Sequence, residues 1–352
     1  MQRHPGTGRP ANRSERFEHG DRPARRPAAD SRSRYRSKAR KMPDTEKERR
    51  ALAAKRPQLV LRARVLQAVR DFFLAHGYLE VDTPLRIPAP APELHIEAPP
   101  AGDWFLHTSP ELCMKRLLAA GYERIFQICH CFRARERGKR HLPEFTLLEW
   151  YTAGRDYRHM MTQCEALIRH VAGALGKAGR LRCRGCEVDL AGDWRRLSVR
   201  EAFDRYTDTT AEAALSDDTF DRLMVERIEP HLGFGRPCFL YDYPAARGAL
   251  ARLKPQDPSL AERFELYIVG VELCNAFSEL TDAGQQRRRF AQERRRRTAM
   301  GAARYPLPEK FLSDVAHLPP CTGNALGLDR LVMLMADAGR IDDVVAFTPE
   351  ML

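Results

Sequence analysis

The sequence lacks the features of an exported or membrane-embedded protein. No stretch of its 352 residues approaches 18 consecutive apolar residues, which excludes a helix of bilayer-spanning character. The first residues contain no apolar segment of the kind that directs secretion. The nine cysteines are odd in number and lack the spacing of a disulfide framework. We therefore predict a cytoplasmic protein whose cysteines are reduced thiols.

Outside its first 50 residues, the chain has little excess charge of either sign. The whole chain has a net charge of +12, but residues 1–50 contain 16 basic and 7 acidic side chains, a net of +9. The remaining 302 residues therefore carry only +3, too little for an extensive nucleic-acid interface built on phosphate contacts.

Residues 1–45 are rich in Arg, Pro, Ser and Gly, with almost no aliphatic side chains to form a core. We predict a disordered basic arm over residues 1–57 and one domain over residues 58–352. Three interpretations of the arm stay open: an RNA-binding segment, a solvated tail, or residues upstream of a translation start at Met42.

Hydrophobic periodicity predicts an α+β fold. Apolar residues recur every three to four positions from Leu61 to Phe73, which predicts an amphipathic helix ending at Gly77. Ser109 and Pro110 are typical of a helix start. Further patterns predict strands over residues 78–84, 125–132 and 144–151, one long strand over 264–277, a basic solvated helix over 285–304, and a strand followed by a helix over 323–337. Hairpin-paired strands surrounded by helices favour an antiparallel sheet.

The segment FRARERGKRHLPEFTLLEWY, residues 132–151, combines a strand, a basic loop and a second strand. The two-residue period puts Phe145, Glu149 and Tyr151 on one face, where they could stack a base and bind an ammonium group. Arg133 could hold a phosphate or carboxylate with two hydrogen bonds. The alternative is a half-buried hairpin with a charged loop.

The segment VELCNAFSELTD, residues 271–282, places Glu272 and Glu279 in an apolar strand. Buried carboxylates are costly unless they are paired or bind a metal, and oxygen ligands beside phosphates suit Mg²⁺. A spacing of seven puts the two residues on opposite faces of a regular strand, so we expect a bend near residues 276–278. The alternative is that both carboxylates pair with arginines.

The segment GNALGLDRLVML, residues 323–334, has glycines that let the backbone approach a ligand closely. Arg330 falls in the first turn of the following helix, where free N–H groups favour anions.

Cysteines occur at Cys129 and Cys131 and in a CxxC pair, Cys183 and Cys186. A structural zinc site takes four ligands, so one such pair favours small buried residues over zinc.

Together these segments resemble the three motifs of class II aminoacyl-tRNA synthetases: GYLEVDTP at 77–84, residues 132–151, and GLDR at 327–330. The sequence is most similar to the lysyl-tRNA synthetase group, in TSPELCMKRLL at 108–118, HLPEFTLLEWY at 141–151 and ELCNAFSELTDA at 272–283. The resemblance covers residues 58–352. It implies a mixed, mainly antiparallel sheet flanked by helices, activation of lysine by ATP with Mg²⁺, and a homodimer formed through the first motif.

Members of this group that charge tRNA carry an N-terminal OB-fold of about a hundred residues that reads the anticodon. Only 57 residues precede the domain predicted here. Ala325, where the tRNA-charging enzymes typically have glycine, is associated with a preference for β-lysine over α-lysine. The resemblance thus implies a truncated member that attaches (R)-β-lysine to a lysine of elongation factor P, with tRNA not expected as acceptor. A lysine–tRNA ligase and a non-catalytic synthetase-like regulator stay open as alternatives.

The resemblance also implies residue roles. It assigns lysine binding to Ser109, Pro110, Glu111, Glu149, Tyr151, Asn275, Glu279 and Ala325. It assigns ATP binding to Arg133, Arg135, His141, Leu142, Phe145, Glu272, Leu273, Gly327 and Arg330. Of these, Arg133 and Arg330 are the catalytic candidates, and Glu272 and Glu279 the candidate Mg²⁺ ligands.

Two positions depart from the family pattern. Arg135 stands in place of a glutamate and Leu142 in place of an asparagine, and Glu136 is a possible substitute for the lost carboxylate.

Overall fold

The structure is a computed structural model that describes residues 45–248 and 250–352. The chain divides into two units, Met1–Glu48 and Arg49–Leu352. The predicted disorder of residues 1–44 lies outside the described residues. For residues 45–57 the prediction is wrong, because all of them except Lys55, which forms a turn, are helical. The segment TEKERRALAA consists mostly of strong helix formers, and Glu46 and Glu48 favour its first turn.

The described residues form ten α-helices. They are α1 Thr45–Ala54, α2 Arg56–Ala75, α3 Glu111–Ala119, α4 Tyr157–Ala174, α5 Val199–Tyr206, α6 Ala211–Ser216, α7 Phe220–Leu223, α8 Ala283–Ala299, α9 Glu309–Asp314 and α10 Leu328–Met335. Helices α2, α4 and α10 build most of the helical layer against the central sheet. Short 3₁₀ or π turns follow α7, α9 and α10.

Fourteen β-strands are present in the described residues. They are β1 Leu79–Glu80, β2 Arg86–Ile87, β3 Pro100–Ala101, β4 Trp104–Leu106, β5 Arg124–Phe132, β6 Glu144–Ala153, β7 Arg180–Cys183, β8 Cys186–Asp189, β9 Arg195–Ser198, β10 Cys238–Pro244, β11 Leu253–Lys254, β12 Asp257–Ile268, β13 Val271–Ser278 and β14 Cys321–Gly327.

The central sheet has nine strands in the order β1-β5-β6-β14-β13-β12-β10-β9, with β11 attached to β12. Within the described part of this sheet, β1 runs parallel to β5 and β9 parallel to β10, while the other pairs are antiparallel. A mainly antiparallel sheet with helices around it confirms the predicted α+β fold. The two smaller sheets are β2-β4-β3 and β7-β8.

The two faces of the central sheet have different environments. Residues such as Leu148, Trp150 and Leu326 face α2, α4 and α10 and form the main hydrophobic core. Because neighbouring residues of a strand point to opposite faces, Glu149 and Ala325 lie on the other face, away from these helices. This second face carries the candidate site.

The predicted long strand over residues 264–277 is wrong in one respect, because it is a hairpin. Strands β12 and β13 are joined at Val269 and Gly270, which have φ values of 50° and 65°. Two-residue hairpin turns of this type have positive φ at both positions, and their usual sequences are Asn-Gly and Asp-Gly. Here the buried Val269 continues the apolar run and conceals the turn.

The bend expected near residues 276–278 lies instead at Leu273. Glu272 pairs with Tyr267, but Cys274 pairs with Leu266, so Leu273 is the extra residue of a β-bulge. The extra residue reverses the alternation, so that Glu272 and Asn275 share a face despite their odd spacing.

Two other elements differ from their predictions. The strand expected over residues 78–84 is limited to β1, which precedes a proline that cannot donate to a ladder. The basic helix α8 is largely exposed, but its Arg297 is 1% exposed and donates to the carbonyl oxygens of Glu93 and Ile96. The described residues contain no helix that is both long and apolar enough to cross a membrane.

Candidate active site

A cavity of about 290 Å³ lies on the face of the sheet that the core helices leave free. Strands β6, β12, β13 and β14 form its floor, and the loop between β5 and β6 forms one wall. It brings together ten residues predicted from the sequence: Arg133, His141, Leu142, Phe145, Glu272, Leu273, Asn275, Ala325, Gly327 and Arg330.

One end of this face is cationic and centres on Arg330, in the first turn of α10. Its Nη1 donates to Glu272 Oε2 at 3.1 Å and to the Glu272 carbonyl oxygen at 2.7 Å. Its Nη2 lies 2.7 Å from His141 Nε2. Burial and the Arg330 charge lower the pKa of His141, so this ring is neutral at pH 7. Burial alone would raise the pKa of Glu272, but Arg330 holds it below its usual value.

Arg133, at the end of β5, is the second guanidinium at this end. It lies 5.0 Å from the centre of the Phe145 ring and 3.9 Å from a carboxylate oxygen of Glu136. Its Nε is buried and has no hydrogen-bond partner among the described residues. A buried unpaired donor beside an aromatic ring and a second arginine suits an anionic ligand with a planar group.

Arg135 does not take part in this arrangement. Its side chain is 86% exposed, its Nε lies 3.5 Å from Glu97 Oε2, and it does not line the cavity. The residue has a φ of 67°, and this left-handed turn directs the chain differently from an extended strand. The expectation that Arg135 contacts ATP is therefore not supported, whereas its neighbour Glu136 does line the cavity.

The other end of the face is rich in carboxylates, and Glu149 is its buried centre. Ser109 Oγ donates to Glu149 Oε1 at 2.5 Å, and Tyr151 OH donates to Oε2 at 2.8 Å. Ser109 Oγ also accepts a hydrogen bond from the Glu111 N–H at 3.0 Å. Helix α3 begins at Glu111, one residue later than predicted, and Pro110 precedes it. Burial and the nearby Glu111 raise the pKa of Glu149 to about 8.

Lys115 joins the two remaining carboxylates. Its Nζ lies 2.5 Å from Glu111 Oε1 and 2.5 Å from Glu279 Oε2. Burial opposes the charge on Lys115, but the two carboxylates raise its pKa above the usual value. Burial raises the pKa of Glu279 to about 8, although Lys115 acts in the opposite direction. Glu272 thus pairs with Arg330 and Glu279 with Lys115. The alternative that both carboxylates pair with arginines holds for Glu272 only.

Gly323 makes this packing possible. A Cβ at this position would lie 2.3 Å from Tyr151 Cε1 and 2.5 Å from Glu279 Oε1. The backbone of β14 therefore approaches these two side chains more closely than any other residue type permits.

Residues in register across three strands connect the two ends. Asn275 of β13 lies opposite Ala325 of β14, which lies opposite Glu149 of β6. Arg263 Nε donates to Asn275 Oδ1 at 3.0 Å, and Arg263 Nη2 lies 2.6 Å from Glu265.

Sequence reasoning missed several residues of this face. Arg263 and Glu265 line the cavity, and their i, i+2 spacing in an apolar strand was an available signal. Lys115 follows Glu111 by one helical turn, which was a second signal. Glu93 also lines the cavity, where burial and Glu111 raise its pKa to about 7, but no local pattern marks it.

The structure describes all nine cysteines, and all are free thiols. Cys183 and Cys186 face each other across the β7–β8 hairpin and do not belong to a group of three or more possible metal ligands in the described chain.

A mainly antiparallel sheet with two arginines over one end and a Gly-containing strand leading into the Arg330 helix is the arrangement of a class II synthetase core. The family model for class II tRNA synthetases (D, K and N) matches residues 44–351, and the chain belongs to this family.

The curated relatives narrow the group. The chain is 39% identical over 310 residues to the elongation factor P–(R)-β-lysine ligase of Pectobacterium carotovorum subsp. carotovorum strain PC1, with 83% of this chain and 95% of that protein covered. The ligase of the same name from Klebsiella pneumoniae strain 342 is 38% identical, with 83% of this chain and 95% of that protein covered. The one from Proteus mirabilis strain HI4320 is also 38% identical, with 82% of this chain and 94% of that protein covered. The resemblance inferred from the motifs is confirmed.

Proposed function

We propose that this protein is a ligase that activates (R)-β-lysine with ATP and transfers it to a lysine side chain of elongation factor P. In the first step a carboxylate oxygen of the amino acid attacks the α-phosphorus of ATP, and pyrophosphate leaves. In the second step the acceptor ε-amino nitrogen attacks the acyl carbon, an amide bond forms, and AMP leaves. The names of the relatives support this acceptor and this amino acid.

The observation that carries the proposal is the division of one sheet face into a cationic end and a carboxylate end. A nucleoside triphosphate is anionic with an aromatic base, and β-lysine has two ammonium groups and one carboxylate. Arg133, Arg330 and Phe145 suit the first substrate, and Glu149 with its Tyr151 partner suits the second. Asn275 and Ala325 lie in one row with Glu149 across three strands and line the same cavity as Arg133 and Arg330, which suits the meeting of the carboxylate and the α-phosphate there.

At the cationic end, the proposed work is positioning and charge neutralisation. Arg133 has an unused buried Nε to donate to an α-phosphate oxygen, and Phe145 offers a ring for adenine to stack on. Neutral His141 and Arg330 are placed to hold the distal phosphates, and Gly327 leaves room beside Arg330.

The family's use of Mg²⁺ fits this end. Glu272 lines the cavity, its side chain is 38% exposed, and its lowered pKa keeps it ionised as a hard oxygen ligand. When bound, Mg²⁺ would neutralise phosphate charge. For Glu279 to share that ion, it must exchange its contact with Lys115 for the metal.

At the carboxylate end, Glu149 is proposed to bind an ammonium group. Its two oxygens are already oriented by Ser109 and Tyr151, so little reorganisation is needed when the ligand enters. The methyl group of Ala325 occupies space directly between Glu149 and Asn275, which favours an amino group shifted by one carbon.

The deciding experiment compares acceptors side by side. Adenylates of labelled α-lysine and (R)-β-lysine are formed on the enzyme and offered elongation factor P or bulk tRNA at equal concentration. We expect label on elongation factor P, with β-lysine preferred, and little on tRNA. Efficient esterification of tRNA with no label on the factor would instead favour the lysine–tRNA ligase, and absence of adenylate would favour the non-catalytic regulator.

We also propose that the protein is a cytoplasmic homodimer. The free cysteines support a reducing compartment. Strand β1 lies at an edge of the sheet, and Leu74, Leu79 and Leu85 near it are exposed. Light scattering should give the mass of a dimer, and Leu79→Glu should shift it toward the monomer. A monomeric mass for the wild-type protein at micromolar concentration would refute the dimer.

A further inference from the structure

Three possible metal ligands that the proposed reaction does not use lie together beside the cavity. Cys129 and Cys131 occupy the same face of β5, and His107 comes from the segment after β4. The two Sγ atoms are 3.9 Å apart, and Cys131 Sγ is 3.8 Å from His107 Nε2. The ligand atoms of all three lie within 4.8 Å of one another. In the order His107, Cys129, Cys131, these residues are 1%, 7% and 0% exposed.

These separations match the edges of a tetrahedral metal site. Zinc–sulfur bonds of about 2.3 Å and tetrahedral angles place two thiolate sulfurs about 3.8 Å apart. A sulfur and an imidazole nitrogen on the same ion are about 3.6 Å apart. The feature that sets this cluster apart from a simple pair of core thiols is the His107 ring nitrogen within reach of both sulfurs.

A disulfide between the two cysteines fits the geometry less well. Residues i and i+2 of a strand have Cα atoms roughly 6.6 Å apart with parallel Cβ directions. This lies near the upper limit of about 6.8 Å for a disulfide, and the parallel side chains cannot adopt its dihedral angle without moving the strand.

We propose that His107, Cys129 and Cys131 form a binding site for a thiophilic d¹⁰ metal ion such as Zn²⁺. Two thiols lose their protons on binding, and no electron is transferred. His107 Nε2, which now lies 2.7 Å from the His130 carbonyl oxygen, exchanges that contact for the metal, and the ring proton moves to Nδ1.

Three protein ligands leave a fourth position for an oxygen donor. Gln127 precedes Cys129 by two residues on the same face of β5, is buried, and has neither amide atom hydrogen-bonded within the described chain. Its carbonyl oxygen or a water completes the coordination. A second cavity, of about 630 Å³, is lined by Cys129 and gives the ion a route from solvent.

The position of the site ties it to the proposed active site. Cys131 lies opposite Phe145 and Cys129 opposite Leu147 across the β5–β6 pair. These four residues form one cluster, packed against Ala325. A bound ion would fix the strand ends that present Arg133 and Phe145, so metal content would influence the geometry of the ATP end.

Cobalt provides a direct test, because Co²⁺ bound to thiolates has intense charge-transfer absorption. The full chain is purified reduced and metal-free, titrated with Co²⁺, and then with Zn²⁺. We expect one Co²⁺ per chain with thiolate charge-transfer bands, displaced by one equivalent of Zn²⁺. Cys131→Ser and His107→Gln should each weaken cobalt binding by at least about tenfold.

The matched control is a second buried thiol pair without a histidine. Cys164 and Cys274 have their Sγ atoms 3.6 Å apart, so Cys274→Ser removes a comparable thiol elsewhere in the core and should leave the bands intact. Two results would overturn the proposal: no stoichiometric Co²⁺ or Zn²⁺ bound by the reduced wild-type chain, or charge-transfer bands that survive Cys131→Ser. Circular dichroism of each variant establishes that it is folded, and the wild-type titration decides the question if a variant is not.

Discussion

At the residue scale, Glu149 makes the stability of the ligand-free protein depend on pH. Its pKa is about 8 in the folded state against 4.5 for an ordinary glutamate, so between these values the folded state holds a proton that the unfolded state has lost. Stability must then fall as pH rises from about 5 to 8. Glu279, with a pKa of about 8, acts in the same direction.

Thermal unfolding across this pH range tests the effect. We expect the midpoint of the free protein to decrease toward pH 8, and saturating lysine to reduce the decrease because an ammonium group favours the ionised carboxylate. Glu149→Gln should flatten part of the slope without ligand. A profile that is level or rises with pH would contradict the assignment.

Substitutions of Glu272 and Glu279 should have different effects on stability, although the sequence predicts one role for both residues. The Glu272 side chain is partly exposed in the cavity, whereas that of Glu279 is fully buried against Lys115. Glu272→Gln should lower lysine-dependent pyrophosphate exchange by about a hundredfold or more. Its loss of stability should be smaller than that of Glu279→Gln, because the ion pair with Arg330 is partly exposed. Glu279→Gln should lower exchange and also cost about 1–3 kcal/mol of stability. Near wild-type exchange at saturating Mg²⁺ in either variant would make that residue structural.

At the scale of elements, strand β14 depends on Gly323. The Cβ of Gly323→Ala would overlap Tyr151 and Glu279, so we expect a loss of about 1–3 kcal/mol in the free energy of unfolding in urea. Gly327→Ala is the matched control for folding, because its Cβ would lie 3.4 Å from the flexible Arg330 side chain. Equal stabilities for the two variants would show that β14 can shift away from β6.

At the scale of the whole molecule, the described domain should work without residues 1–41. Composition motivates this expectation, since those residues offer no core and no motif. A chain that starts at Met42 should keep lysine-dependent pyrophosphate exchange within about twofold. A large loss of rate would mean that the arm contributes to the active site.

A chain that starts at Gln58 should behave differently. It lacks Lys55, whose Nζ donates to the carbonyl oxygens of Asp342 at 2.9 Å and Val345 at 3.0 Å. Those bonds hold the C-terminal segment against the start of α2, so we expect a lower unfolding midpoint than for the Met42 start. A lower midpoint for the Gln58 start would place the boundary of the domain before α2. Indistinguishable midpoints would favour the boundary at residue 57 that composition predicts.

The sequence by itself determined the fold class, the family and most of the residue types at the site. Strands β5, β6 and β14 and helix α2 are local patterns of period two or 3.6, and the motifs place Arg133, Phe145 and Arg330 in the chain without any tertiary knowledge. Alternation also assigned Glu149 and Tyr151 correctly to one face, because that part of β6 is regular.

The tertiary structure decided what depends on pairing between distant segments. The hairpin turn at Val269 and the bulge at Leu273 follow from the register between β12 and β13, which no local period contains. Lys115 lies between Glu111 and Glu279 because the fold buries three ionisable groups together, although Lys115 and Glu279 are 164 residues apart in the chain. Burial and the field of neighbouring charges set the protonation of such groups, and both are properties of the folded molecule alone.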